Sequence, residues 1–424
     1  MDRFSNLPDD VAHKIISFLA LEDTSRLSVA SKRCRQLCLS NSFLNFDISP
    51  YVRYPIQRAE LMDYIDRLLF LRRGTDAQYC CILGYLLIGE EFRVLSWLNN
   101  AVALNVKYFF LVLTLEGGSQ CLTLPSSLLC STAVETLIVS FCYFGTGILK
   151  TPSLRATSSL QLLKLKSVRI DESFGNWISS HCKFLKKLQL EHIEGTTRLI
   201  ITSSSLEELV ILSPRGSLLH LHVSAEILRL LILVWRFDSP NDRELRLSTP
   251  KLKILYWKGN ILNLSVAENM TDLLLSKVFL KPFSGEAYAN QNLIHAIRAV
   301  SDSIGLALYN HSVQDLLKLG CPRILFTNLL ALRIWIKDTE VGCVTIRSGK
   351  LEDIPFLINL KFVTVDVITQ ENNELELIEF LLKNAQNLKK MTVFSSYDLQ
   401  PDFIREISGY EKASSDAVVN FMMI

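Results

Sequence analysis

Few residues in this chain combine a reactive type with a spacing that could do chemistry. His220 and His222 alternate, so on a strand both imidazoles would share one face, as two ligands of a metal ion do. No Cys or Asp/Glu cluster nearby completes such a site, and a solvated strand face is the plainer reading. Cys34 and Cys38 lack a second ligand pair of matching spacing, which leaves them as buried thiols. Cys80 and Cys81 lie in an apolar run and are not a C-x-x-C redox pair. The chain has no G-x-x-x-x-G-K-S/T, no G-x-S-x-G and no H-E-x-x-H, and its acidic residues are not paired with His or Ser as acid–base machinery. These patterns call for no catalytic residue, no metal and no cofactor, and the expectation is a protein that is not an enzyme.

The elements that carry the remaining residues are more informative. The chain has 424 residues, 49% apolar and 21% charged, which describes a folded chain of more than one structural unit or one long repeat array. A net charge of +2 gives no electrostatic case for nucleic acid or an acidic membrane surface. The opening MDRFSNLPDD does not read as a signal peptide, and the longest apolar run, around Tyr79–Ile88, is short of the ~20 residues a membrane span needs. Ten cysteines without an export signal are expected to stay reduced, in the cytoplasm and/or nucleus.

Residues 1–48 read as a short helical unit. Pro8 suits a first helical turn, Asp9 and Asp10 suit the positive end of the dipole, and Val11, Ile15 and Leu19 recur every four residues. So short a unit is too small to cover that stripe by itself. Residues 49–100 show a helical period, in Leu61, Ile65, Leu68 and Leu69 and then Phe92, Leu95 and Leu98. Over residues 101–348 a strand phrase, L-x-x-L-x-L, takes over. It appears as Val134-Leu137-Val139, Leu160-Leu163-Leu165, Leu185-Leu188-Leu190, Leu206-Leu209-Ile211, Leu228-Leu231-Leu233 and Leu252-Leu255-Trp257. Weaker copies stand at Met270-Leu273-Leu275, Leu329-Leu332-Ile334, Leu360-Val363-Val365 and Leu388-Met391-Val393. A second phrase, in Leu199-x-Ile201, Leu221-x-Val223 and Leu245-x-Leu247, precedes three copies at a fixed seven residues, and Leu264-x-Val266 leads Met270 by six. The last two apolar residues of each copy point to one strand face, which only stacked neighbours can bury. The ~20–30-residue period is that of leucine-rich repeats. Many such repeats place Asn or Cys three residues after the last leucine to satisfy the turn; only Cys142 and Asn260 do so here, so uneven curvature and loops of varied length are expected.

Leu7-Pro8-Asp9-Asp10-Val11, Ile15 to Leu19, Glu22-Asp23, Arg26-Leu27-Ser28-Val29 and Ser31-Lys32-Arg33 together resemble an F-box of the plant type. Cys34 and Cys38 stand where that pattern usually has tryptophans, and Ala20 where it often has proline. Leu95-Ser96-Trp97-Leu98, Val106 and the LPSSL of Leu124 to Leu128 resemble the beginning of the repeats in plant F-box/LRR proteins. ELELIEFLLKNAQNLKKMTV, from Glu374 to Val393, and YEKASSD, from Tyr410 to Asp416, are similar to the FBD domain that ends many of them. The resemblance implies an α/β chain: an N-terminal F-box helical unit, an irregular leucine-rich-repeat solenoid, and a C-terminal FBD-like cap over 349–424. The helix expected from Glu374 to Asn387, with Leu375, Ile378, Leu381, Leu382 and Ala385 inward, would close the array.

The resemblance also implies a substrate-recognition subunit of an SCF-type ubiquitin ligase. Leu7, Pro8, Val11, Ile15, Leu19, Leu27 and Val29 would bind a Skp-type adaptor and, through it, a cullin. The repeats would bind a target protein, with nucleic acid and membrane not among the partners. On the strands, Val210, Leu212, Leu230, Ile232, Val234 and Tyr256, extended by Ile254, break the polar pattern of the outward positions and make a target-binding patch, unless a loop at Trp235–Asn241 covers it. One alternative is a repeat protein with a degenerate F-box that acts outside a ligase. Another is a small-molecule receptor, which would need a basic pocket, and no strong Lys/Arg cluster stands out on the expected strand faces.

Overall fold

The computed structural model describes residues 4, 6–72, 75–116, 121–142, 145–152, 157–214, 218–237, 243–266, 270–281, 289–309, 312, 326–336, 357, 359–368, 370 and 372–423. The chain divides into two compact units, Met1–Leu221 and His222–Ile424.

The first unit opens with three short helices, α1 (Asp9–Ile16), α2 (Leu21–Ala30) and α3 (Lys32–Ser40). Pro8 takes the N-cap of α1 and Asp9 and Asp10 its first turn, where the dipole favours negative charge. Ser31 caps α3, its hydroxyl accepting from the Cys34 amide at 3.0 Å. Strands then alternate with helices and loops: β1 (Phe43–Asp47), α4 (Pro55–Leu71), β2 (Tyr79–Leu86), α5 (Glu91–Ala103), β3 (Tyr108–Leu115), β4 (Cys121–Leu124), α6 (Ser127–Cys130) and β5 (Thr136–Cys142). They continue as β6 (Thr146–Leu149), β7 (Leu162–Lys166), β8 (Val168–Ile170), α7 (Phe174–His181), β9 (Lys187–Glu191), β10 (Arg198–Ser203) and β11 (Glu208–Leu212).

β1, β2, β3, β5, β7, β9 and β11 pair in that order and all in parallel, so every return to the sheet is a crossover. The register puts Leu111, Val139, Leu165, Leu190 and Ile211 side by side, and Phe109, Leu137, Leu163, Leu188 and Leu209 likewise, all buried. The repeated phrase is thus a continuous apolar face built from strands that cannot bury it singly. β4, β6 and β8 form a second, short parallel sheet.

The division between units falls inside β12 (His220–Ala225). The second unit continues with β13 (Leu230–Trp235), β14 (Glu244–Ser248), β15 (Ile254–Asn260), β16 (Asn263–Val266), β17 (Leu275–Lys281), α8 (Ala289–Ala299), β18 (Gly305–Tyr309) and β19 (Ala331–Trp335). It ends with β20 (Phe362–Val367), α9 (Asn372–Asn384), β21 (Lys390–Ser395), α10 (Pro401–Ser408) and β22 (Val418–Met423). β13, β15, β17, β18, β19, β20, β21 and β22 pair in parallel, and β14 pairs with β16. Leu233, Trp257, Val278, Leu308, Ile334, Val365 and Val393 form one buried row.

The chain leaves these strands in a recurrent way. Ser167, His192 and Ser213, each two residues after the last apolar position, have φ of 52°, 52° and 45°. Gly259 holds the same place with φ 147°, and a Cβ there would sit 1.8 Å from the Trp235 carbonyl oxygen. Asn260 accepts from the Phe237 amide at 3.1 Å, the turn-satisfying role expected of that position.

Several expectations need correction. The span 49–100 is not helical throughout: β2 lies between α4 and α5. Its apolar run is buried largely on both faces of a parallel sheet, which erases the period-2 signal. On α5 the buried face is Val94, Trp97, Leu98 and Ala101, and Phe92 is exposed. The copy expected at Met270-Leu273-Leu275 is displaced by three residues: Ser276 and Val278 pair with Leu255 and Trp257, and Leu275 faces outward. Ser276 fills a leucine position because its hydroxyl lies 2.6 Å from that of Ser303, itself buried ahead of β18, a strand the phrase did not reveal. The helix expected from 374 to 387 exists as α9, with Leu375, Ile378, Leu381 and Leu382 buried and Ala385 buried just beyond it. It is the crossover between β20 and β21 rather than the closing element; β22 pairs beyond it. Residues 338–356, across the expected start of the C-terminal region, lie outside the described residues.

Candidate functional site

In the N-terminal unit the buried set is small. Ala12, Ile16, Leu37 and Cys38 form one cluster, with Phe4, Leu7 and Leu27 packed against it. Arg33 pairs with Asp9 and holds its carboxyl below the ordinary range, and the His13 Nε2 lies 2.9 Å from the Ser40 hydroxyl; both contacts tie α1 to α3. The rest of the stripe faces outward. Val11 is 42% exposed, Ile15 38%, Val29 74%, and Pro8 is exposed too. Phe18, just past α1 and 79% exposed, joins them; it widens the apolar stripe in the sequence but is not in the set expected to bind the adaptor. The expected set therefore divides: Leu7 and Leu27 serve the local core in part, Leu19 is half-buried, and Pro8, Val11, Ile15 and Val29 are available to a partner.

Cys34 and Cys38, at the two positions where the plant pattern has tryptophan, are both 2% exposed. Burial, reinforced by Cys34, pushes the Cys38 thiol up to about 11, and its sulfur lies 3.8 Å from the Thr24 carbonyl oxygen. Cys80 and Cys81 are buried as well, and burial raises both. Cys38, Cys80 and Cys81 are core thiols that resist ionisation, the opposite of a reactive cysteine.

The residues expected to hold a target occupy the outward positions of the strands, as their alternation required. Val210 and Leu212 belong to the first unit, where β11 sets them beside Gln189 and Glu191 of β9. Leu230, Ile232, Val234 and Tyr256 belong to the second, where Leu230 pairs with Ile254 and Ile232 with Tyr256. All six are half-buried and Ile254 is exposed. The loop expected to cover them is described only at its start: Trp235 is buried within β13, and Phe237 lies under the Arg243 guanidinium, 4.2 Å from the ring centroid. Further along the same outward face, Tyr256 meets Phe279 at 6.0 Å between centroids, Phe279 meets Tyr309 at 4.8 Å, and Phe279 meets Trp335 at 5.3 Å.

The displaced register of β17 has a second consequence. Lys277 and Lys281 are outward positions of that strand, next to Lys258 of β15. Reading the strand as ending near Leu275 hid them, so the outward face of the second unit is more basic than the sequence suggested. Of the two histidines, His222 lies 3.3 Å from Glu244, whose carboxyl is held down first by Arg246 and then by His222 itself. Among the described residues, no helix is long and apolar enough to cross a membrane.

Comparison with known proteins places these features in sequence families. The F-box domain family matches residues 4–46, the LRR repeats of an FBD-associated F-box protein match 94–272, and the FBD family matches 356–393. The chain is similar to a putative F-box/FBD/LRR-repeat protein of Arabidopsis thaliana, 26% identical over 99% of this chain and 95% of that one. It is similar to an FBD-associated F-box protein of the same plant, 25% identical over 99% of this chain and all of the relative. A third relative from that plant, an F-box/LRR-repeat protein, is 29% identical over 85% of this chain and 91% of its own length. The outward residues Pro8, Val11, Ile15, Phe18 and Val29 all fall within the F-box match.

Proposed function

We propose that this F-box/FBD/LRR-repeat protein is the substrate-recognition subunit of an SCF-type ubiquitin ligase. Its F-box holds a Skp-type adaptor and through it a cullin, its repeats hold a target protein, and a separate conjugating enzyme transfers the ubiquitin. The chain supplies proximity and no chemistry: two binding sites on one molecule raise the effective concentration of target near the loaded enzyme. Working in that assembly places it in the cytoplasm and/or nucleus.

The observation that carries this reading is the apolar surface that α1 and its neighbours leave outside their own core, within the segment matched by the F-box family. Replacing Val11 and Ile15 together with Asp should remove adaptor capture, because a carboxylate on each exposed position cannot be desolvated against an apolar partner. The folded chain should survive, since neither side chain belongs to the cluster of Ala12, Ile16, Leu37 and Cys38. Co-purification of adaptor and cullin with each variant, alongside thermal unfolding, reads both effects. Full adaptor capture by the double variant overturns the reading.

The alternative of a degenerate F-box acting outside a ligase drew its support from Cys34 and Cys38. Both lie in the core, not on the outward surface, so their identity does not remove a contact from the face offered to the adaptor.

A further inference from the structure

The outward face of β13, β15 and β17 in the second unit combines two chemistries. Its apolar part is Leu230, Ile232, Ile254 and Tyr256, paired across the two strands. Its basic part is Lys258, Lys277 and Lys281: Lys277 pairs in register with Tyr256, and Lys258 lies between Val234 and Phe279. None of the three ammonium groups has a hydrogen-bond or ion-pair partner among the described residues. No outward position of β13, β15 or β17 carries a carboxylate, and Asp366, an outward acid of β20, is engaged by Arg333 at 2.6 and 2.7 Å.

We propose that this face binds an extended acidic peptide segment of the target, with an apolar anchor over Ile232 and Tyr256 and carboxylates over Lys258, Lys277 and Lys281. The inference rests on the reading of the repeats as the target-holding part and adds the chemistry of what they hold. Three ammonium groups on one sheet face, without a partner among the described residues, repel one another and favour a partner that brings negative charge. The neighbouring apolar side chains, Leu230, Ile232 and Tyr256 half-buried and Ile254 exposed, give such a partner something to desolvate. Phe279 and Tyr309 are buried at 3% and 6%, while Tyr256 is half-buried and Trp335 exposed. The preference for a peptide over a nucleic acid therefore rests on the aliphatic Leu230, Ile232 and Ile254 beside the lysines, which offer nucleobases no ring to stack on.

The test pans the full chain, held through its adaptor, against a displayed library of random peptides of roughly twelve residues, long enough to cross the face at about 3.3 Å per residue. The expected result is enrichment of sequences that set Asp or Glu beside Leu, Ile or Phe. Binding of a synthetic copy of an enriched peptide should weaken on the order of tenfold in the Lys258→Glu/Lys277→Glu variant and fall as salt rises. The Lys258→Arg/Lys277→Arg variant should bind as the native chain does. Enrichment of neutral or basic peptides, no enrichment, binding indifferent to the charge reversal, or preference for a single-stranded oligonucleotide over the enriched peptide each overturns the proposal. Adaptor capture measured on the same variants keeps the two readings apart. A chain that captures adaptor but shows any of those outcomes loses only this surface, whereas failure to capture adaptor counts against the ligase reading.

Discussion

Cys34 and Cys38 show how a residue's role depends on the space around it. In a family pattern with tryptophan at both places, two cysteines look like lost anchors. Here each is closed over by its neighbours, and Cys38 shares a cluster with Ala12, Ile16 and Leu37, small and medium side chains that match a small partner. Introducing tryptophan at either site forces the helices apart, and overpacking of a fitted core costs about 1–3 kcal/mol per site. The Cys34→Trp/Cys38→Trp variant should therefore melt at a lower temperature and capture less adaptor, a result read by calorimetry and co-purification. Arg58 is the opposite case, a residue whose role the sequence did not disclose. It lies within α4 as one more charged side chain of an amphipathic helix, yet it is buried. Its guanidinium donates to the Glu90 carboxylate twice at 2.6 Å and to the carbonyl oxygens of Ile48 and Tyr85 at 2.7 Å each. Glu90 in turn accepts from the Leu87 amide at 3.0 Å. This clamp joins the segments that follow β1 and β2 to both flanking helices. Arg58→Ala leaves a carboxylate and two carbonyl groups without their donor and should cost about 3–5 kcal/mol. Arg58→Met with Glu90→Leu, which removes both charges, should cost less; equal losses in denaturant titrations would mean the clamp acts only by packing.

At the scale of elements, the repeats were legible wherever the phrase was intact. Leu163 and Leu165, Leu188 and Leu190, Leu209 and Ile211, and Leu231 and Leu233 are buried where the spacing put them, and alternation placed Val210, Ile232 and Tyr256 outward. The signal failed at two kinds of place. Along β2 a continuous apolar run carries no period, because Cys80, Cys81 and Ile82 are buried in succession and so on both faces, although Tyr85 near the strand's end is exposed. At β17 and β18 serines hold leucine positions, and a hydroxyl pair in a core is invisible to a hydrophobic pattern. That pair is testable on its own. Ser276→Ala strands the Ser303 hydroxyl in an apolar interior, and a buried hydroxyl without its partner costs about 1–3 kcal/mol. Replacing both serines with alanine removes the orphan, so the double variant should be more stable than the sum of the two single changes predicts. Additive losses in equilibrium unfolding would show that the two hydroxyls do not depend on each other.

At the scale of the molecule, the sequence suggested a helical F-box ending near residue 48 and a separate array beyond it. The described contacts run through that boundary within the first unit. Two residues separate α3 from β1, which is already a strand of the sheet, with Leu44 beside Cys80 and Phe46 beside Ile82. Phe46 and Ile48 are buried, and the Phe46 ring lies 6.4 Å from that of Trp97 on α5. Arg72, fully buried beyond α4, donates to the Cys38 carbonyl oxygen at 3.4 Å, and burial lowers its guanidinium to about 10. The three N-terminal helices are thus bonded to the first crossovers of the sheet rather than hung on a linker. Cutting at residue 48 would expose Leu44, Phe46 and Ile48 and leave the row of β1 backbone groups without β2. Fully burying one such side chain is worth about 1.5–3 kcal/mol, and a unit of this length has little stability to lose. A fragment of residues 1–48 should accordingly show weak helicity by circular dichroism and capture adaptor poorly, while residues 1–221, which form one compact unit, should unfold cooperatively and capture it well. If the short fragment instead matches the long one in both measurements, the helices fold without the sheet, and the orientation of adaptor to repeats is not built into these contacts.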